Sequence, residues 1–516
     1  MTLRCSARGA AHPFFLVFGV SLMIGGGLVG LLCWNSTSPA QIGGGERQPL
    51  ILFCGASLKP VLEVVIRDYK KEYGVEVQPQ YDASDNLLNS ISVTHIGDLF
   101  LPAEELYAAR ARQKGLAREI LPLGRTRPVI AVRKGNPKNI HDISDLLRPD
   151  VSVTLASPAA AIGRLSRELL QKSGNWDALH KRMENEGSKV SELGKEPEVA
   201  NSVKLGAADA GIIWETSAPR YPELESVCPP LFQSAEQPVA ITVLESAKSP
   251  ARALHFARYL AAHDRGLLEF KKAGYRVVDG DDWEDQPKLL LFAGAMLRPA
   301  IEKTLKEFEA REGIPSITTV YNGCGILVGQ MHATHPDVYF SCDTSFMKQV
   351  QPLFDSPEAI SANKMVILVA KGNPMGIHSL RDLAKPGLKL GIGNEQQCAL
   401  GWLTHNVLDR AKLCEAIEEN HPVRSPTGDF LVNQTRTGAL DAAIVYESNT
   451  TFVKEALDII PIDLDQQFAV QPIAVGRNSK HKYLAERMLD AIRTPASEKR
   501  FKENGFQWIA KEPVNN

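Results

Sequence analysis

Two short apolar runs, Leu50 to Phe53 and Leu289 to Phe292, stand far apart in the chain and open the same pattern. Each reads as a buried strand. A Gly-Ala turn follows each run. Then come apolar positions at Leu58, Leu62, Ile66 and Tyr69 in the first case, and at Leu297, Ile301, Leu305 and Phe308 in the second. Both sets step along one face of a helix. Strand-like runs and amphipathic stretches alternate afterwards, which predicts α/β units with a mostly parallel sheet. A third apolar run differs in kind. Phe14 to Cys33 is 20 residues without a charge, preceded by Arg4 and Arg8. That is long enough to span a bilayer, and the preceding positive charge places residues 1–13 in the cytoplasm. The run reads as an uncleaved transmembrane anchor, a cleaved signal peptide, or the leader of a lipidated Cys33. All three export the rest of the chain. The Gly- and Ser-containing residues 34–48 then read as a flexible linker.

The two similar openings belong to a longer repetition. Leu50 pairs with Leu289, the segment from Val129 with that from Val366, and the segment from Gly206 with that from Gly438. Three ordered matches define a period of about 235 residues, far longer than a solenoid repeat. The chain is read as two tandem copies of one domain, residues 49–280 and 288–516. The polar, turn-rich residues 281–287 link them, and each copy is long enough for two lobes with a ligand cleft between.

Composition narrows the function. The chain has 516 residues, 44% hydrophobic and 23% charged. This is ordinary globular usage and excludes a disordered or multi-span membrane chain. A net charge of −2 argues against a nucleic-acid partner, which needs a basic footprint. Eight Cys are too few for a disulfide scaffold, and none is spaced as a zinc pair. Export permits a disulfide, but spacing does not give its connectivity. No Walker loop, HExxH, GxGxxG or nucleophile elbow stands in a fitting context, so the chain is read as a binder without catalytic residues or cofactor.

The chemistry lies at the turns. A strand, a small-residue turn and a helix present free N–H groups at the helix start, a ready anion site. In copy one this turn also carries Ser57, which could equally be a plain cap.

The remaining motifs resemble those of the periplasmic molybdate-binding proteins of ABC importers, a type-II solute-binding family. The residues are Cys54-Gly55-Ala56-Ser57-Leu58, Tyr81 to Leu87, Gly97 to Glu104, the KGNP turns at Lys134 to Pro137 and Lys371 to Pro374, and the segments Gly206 to Trp214 and Gly438 to Tyr446. The resemblance covers nearly all of each copy. It implies tandem α/β solute-binding domains, each of two lobes that close by a hinge on an oxyanion. Neutral hydroxyl and backbone N–H donors would hold the ligand, molybdate or tungstate, and an ABC-type permease would receive it. A membrane-tethered sensor or scaffold with one degenerate domain is the alternative, and an enzyme on the same fold a further one.

Carried over residue by residue, copy one keeps Ser57 and Ser84. Ile162 is a candidate backbone donor in the Ala161-Ile162-Gly163-Arg164 turn, and Glu196 stands where another is expected, although Pro197 has no N–H. Trp214 replaces the family's tyrosine. Copy two departs further. Met296 stands in place of Ser57 and Cys324 in place of Ser84, while Tyr446 is retained. Ala399, Leu400 and Gly428 could still supply backbone donors. A thioether cannot donate and a thiol donates weakly. Copy two therefore reads as a degenerate structural copy, as an oxyanion site with other donors, or as a soft-metal site built on Met296, Cys324 and Cys398. Glu215 and Glu447 read as solvated hinge charges, and His141 and His378 as surface loop residues.

Overall fold

The computed structural model describes residues 48–185, 187–462 and 468–510. The anchor or signal run at Phe14 to Cys33 and the linker before residue 48 lie outside the described residues. Among the described residues no helix is long and apolar enough to cross a membrane.

Copy one builds two sheets. Strands β1 (Leu50–Gly55), β2 (Val77–Asp82), β3 (Leu99–Leu101) and β4 (Ala117–Thr126) lie in the first lobe. The chain then enters the second lobe with β5 (Pro128–Arg133), β6 (Val153–Ala156), β7 (Val190–Leu193), β8 (Ala210–Trp214) and β9 (Leu224–Val227). It returns through β10 (Gln237–Leu244) and β11 (Arg276–Val277). The sheet orders are β11-β4-β10-β3-β1-β2 and β7-β6-β8-β5-β9. The expected mostly parallel sheet is corrected. β1 pairs parallel with β2 and β3, and β6 with β7 and β8. β10 runs antiparallel to β3 and β4, and β5 antiparallel to β8 and β9. Parallel neighbours need a helical crossover. The strands that carry the chain between lobes have none, so they enter reversed.

The helix after β1 spans Lys59–Tyr73, and its counterpart spans Arg298–Glu312. Leu58, Leu62, Ile66 and Tyr69 are buried, as are Leu297, Ile301, Leu305 and Phe308. The stripe read from the sequence is thus the face turned into the core. Both helices have Pro in the first turn, and both end at a left-handed glycine, Gly74 and Gly313.

Copy two repeats the plan with one difference. In copy one β4 and β5 are separate strands broken at Arg127, because Pro128 cannot donate to a ladder. Copy two has Met365 at the matching place, and a single strand, Glu358–Ala370, runs through both lobes. One sheet of ten strands results.

The two copies are docked against each other. Glu312, 1% exposed, receives Arg487 at 2.7 and 3.1 Å and Arg258 at 3.1 Å. Burial opposes its charge, but Arg487 and Arg258 hold the carboxyl below its usual range. The segment between the copies is fixed as well. Asp281 accepts the N–H groups of Tyr483 and Leu484, and Trp283 donates to the Tyr73 hydroxyl at 3.0 Å. Asp285 meets the buried His255 at 2.7 Å.

Candidate functional site

In copy one the ends of four chain segments meet between the lobes. Ser57 lies in the turn after β1, and Ser84 opens the helix Ser84–Thr94. Both are buried, at 4% and 1% exposure. Ser84 Oγ accepts the Ala103 N–H at 3.1 Å, which leaves its own proton to donate elsewhere. From the other lobe come the starts of the helices Ala161–Lys172 and Glu196–Lys204, with Trp214 at the end of β8. Ser57, Ser84, Ile162, Glu196 and Trp214 all line one cavity of about 20 Å³, so the five residues singled out from the sequence come together. Such a space takes a compact ligand only. Gly163 makes the helix start possible, because a Cβ there would stand 2.0 Å from the Ser157 carbonyl oxygen.

The surroundings are less neutral than the resemblance implied. Lys195 and Asp82 also line the cavity and pair across it at 3.0 Å. The Glu196 carboxyl is buried, burial pushes its pKa up, and one of its oxygens has no hydrogen-bond partner.

The cleft is closed. Arg164 of the second lobe grips both oxygens of Glu104 of the first, at 2.5 and 2.8 Å. Arg220 donates to the Ser57 carbonyl at 2.8 Å, and the Asp85 N–H reaches the Ala159 carbonyl at 3.0 Å. Sequence reasoning missed these latches. Glu104 and Arg164 stood in the quoted motifs, but only the fold shows that they face one another across the cleft.

The equivalent cleft in copy two is lined by Met296, Ala399, Leu400, Gly428 and Tyr446, and by Cys342 and Cys398. Cys324 is fully buried at the start of the helix Cys324–Gln330, in contact with Cys342. Its Sγ accepts the Cys342 N–H at 3.0 Å, as Ser84 accepts that of Ala103. Cys342 therefore occupies the place of Ala103. The sequence motifs did not single it out, although its segment aligns with Gly97 to Glu104. The Tyr446 hydroxyl is buried with no hydrogen-bond partner. Burial pushes its pKa well up, and pushes that of Cys398 up to about 11. Among the described residues no group of three or more His, Cys, Asp or Glu is placed to hold a metal ion. The side-chain latches of copy one are missing here, because Asp343 and Trp402 stand where Glu104 and Arg164 do, but the backbone latch is kept, with the Gly325 N–H reaching the Gln397 carbonyl at 3.0 Å as Asp85 reaches Ala159; Asn322 and Thr427 stand where Asp82 and Lys195 do.

Glu215 of copy one is half-buried and paired with Arg127 at 2.8 Å beside the break between β4 and β5, so it is not the freely solvated charge expected from the sequence. His141 lies on an exposed loop.

Residues 50–276 and 289–507 each match the family model described as "Bacterial extracellular solute-binding protein". The molybdate-binding protein ModA of Mycobacterium bovis is 27% identical over 257 residues, covering 47% of this chain and 92% of that protein. The sulfate-binding protein of Salmonella typhimurium is 32% identical over 189 residues, covering 32% of this chain and 56% of that one. Among solved structures, the periplasmic molybdate-binding protein of Azotobacter vinelandii aligns at 16% identity with a TM-score of 0.38, covering 43% of this chain and 99% of its own.

Proposed function

Because the chain belongs, in both of its copies, to the bacterial extracellular solute-binding proteins, we propose that it captures molybdate, or the similar tungstate, outside the cytoplasm and offers it to an ABC-type permease. Copy one is the receptor. The observation that carries this reading is the convergence of Ser57, Ser84 and two helix starts on one small cavity between closed lobes. Two hydroxyls and the N–H groups of two helix N-termini form a set of donors suited to a tetrahedral dianion. Each hydrogen bond to a charged acceptor contributes about 1.5–3 kcal/mol. Lobe closure buries the anion and makes the shape that a permease would read. Attachment through residues 14–33 would keep the receptor beside that permease.

Calorimetric titration of the full chain with molybdate, tungstate, sulfate and phosphate tests the proposal. Wild type is run beside Ser57→Ala/Ser84→Ala. Loss of two donors costs about 3–6 kcal/mol, a factor of roughly a hundred to ten thousand or more in Kd. The expected result is a tight molybdate or tungstate site that this double variant loses. A tight sulfate site instead would favour the second reading, sulfate capture, which the similarity to a sulfate-binding protein supports. No binding of any oxyanion would sink both.

A further inference from the structure

The sulfur cluster of copy two does something that the hydroxyls of copy one cannot. Cys324 and Cys342 each stand two residues past a strand end, the first after Thr318–Asn322 and the second after Val338–Phe340. Both of those strands pair in parallel with Leu290–Gly294, so the sheet brings the two sulfurs together over the end of that middle strand. The Sγ–Sγ separation is 2.6 Å, and both thiols are free. Gly294 leaves the room for them, since a Cβ there would meet the Cys342 sulfur at 2.2 Å and the Cys324 sulfur at 3.4 Å. Copy one holds Ser84 and Ala103 at these two places and could form no such bond.

We infer that Cys324 and Cys342 form a disulfide beneath the copy-two cleft when the exported chain meets a disulfide oxidant, and that this bond sets whether the cleft accepts an oxyanion. The second part rests on the oxyanion reading of the family site.

Burial divides the roles. Cys342 lines the cleft and is 5% exposed, whereas Cys324 is 0% exposed behind it. When the lobes open, the Cys342 thiol attacks the oxidant's disulfide. One thiol leaves and takes up the Cys342 proton, and Cys342 carries a mixed disulfide. The Cys324 sulfur then attacks Cys342 Sγ and expels the second thiol, which takes up the Cys324 proton. Two protein thiols are oxidised and one small disulfide is reduced to two thiols.

The consequence for the cleft lies in its lining. In the reduced form the Cys342 thiol, a weak donor already engaged with Cys324, faces the place of the anion. Oxidation ties that sulfur back to Cys324 and leaves the unpartnered Tyr446 hydroxyl and the N–H groups at the start of the helix Ala399–Arg410 as the donors.

The full chain is equilibrated with glutathione disulfide or with dithiothreitol, alkylated, digested and mapped by mass spectrometry. The expected result is a linked pair of peptides carrying Cys324 and Cys342, in the oxidised sample only and unchanged in Cys398→Ser. In Cys324→Ser, Cys342 should accumulate as the glutathione mixed disulfide. The inference is overturned if both thiols stay alkylatable in the oxidised chain, or if Cys342 pairs with Cys398 instead. Molybdate is then titrated into the Ser57→Ala/Ser84→Ala chain, in which copy one is silenced. Binding at least tenfold tighter in the oxidised chain supports the gate. Equal affinity in both states overturns it. A mapped disulfide with no anion bound in either state leaves the bond standing and overturns the oxyanion reading of copy two.

Discussion

Glu104→Gln should open the cleft of copy one without unfolding it. Glu104 is 2% exposed and takes both hydrogen bonds of its pair from one nitrogen of Arg164, at 2.5 and 2.8 Å. Removing one partner of a fully buried pair costs about 3–5 kcal/mol. The cost here is smaller. Arg164 keeps Glu168 at 2.8 Å and its side chain is 22% exposed, so it is not left unpaired. The loss should be that of hydrogen bonds to a charged group, about 1.5–3 kcal/mol. The two residues belong to different lobes, so the pair exists only in the closed form. Its loss falls on the closing equilibrium and not on the folding of either lobe. The unliganded variant should therefore be more open by small-angle scattering, with an unchanged melting profile. Its anion Kd should weaken by roughly 10- to 150-fold, the same energy expressed as affinity. The combined change Glu104→Gln/Arg164→Met should weaken binding by less than the sum of the two single changes. Copy two is the internal control, since Asp343 and Trp402 make no such pair. An unchanged radius of gyration with an unchanged Kd would refute the latch. A radius unchanged alongside a lowered melting temperature would show that the pair supports folding instead.

The same geometry sets four further outcomes. Gly163→Ala should weaken anion binding and lower the melting temperature together, because the new methyl meets the Ser157 carbonyl at 2.0 Å and must push back the helix start that lines the cavity; titration and calorimetric melting check it. Glu312→Gln should destabilise the contact between copies by about 3–5 kcal/mol, since Arg258 and Arg487 lose their shared carboxylate charge in a buried setting; the two copies should then melt in separate steps. Burial holds the pKa of His255 below its ordinary value. The unfolded chain therefore binds a proton on this residue that the folded one refuses, and stability should fall as pH drops below about 6.5, a slope that His255→Asn reduces in denaturant titrations at several pH values. Pro128→Met should let β4 and β5 join as their counterpart does in copy two, slowing lobe opening as read by hydrogen exchange at Arg127 and its neighbours.

Much of this protein was legible in the order of its residues. Apolar spacing fixed the helix faces at Leu58 to Tyr69 and Leu297 to Phe308, because burial on one side of a helix obeys a local period. Self-comparison revealed two copies, because homologous segments keep their order. The five copy-one residues could be named because the short motifs that hold them resemble those of a known family, and such motifs survive as local runs of sequence. What the order of residues did not contain were contacts between elements far apart in the chain. Glu104 and Arg164 are 60 residues apart, and Arg258 and Glu312 meet across the two copies. The antiparallel return of β10 depends on which edge the chain reaches after crossing lobes, and nothing in its own apolar run records that. Cys342 looked ordinary because its importance comes from Cys324, 18 residues away and brought to it by parallel pairing around one shared strand. Local periodicity and motif order arise from the chemistry of neighbours, whereas latches, the docking of the copies and the sulfur pair arise from long-range packing, which only the folded chain decides.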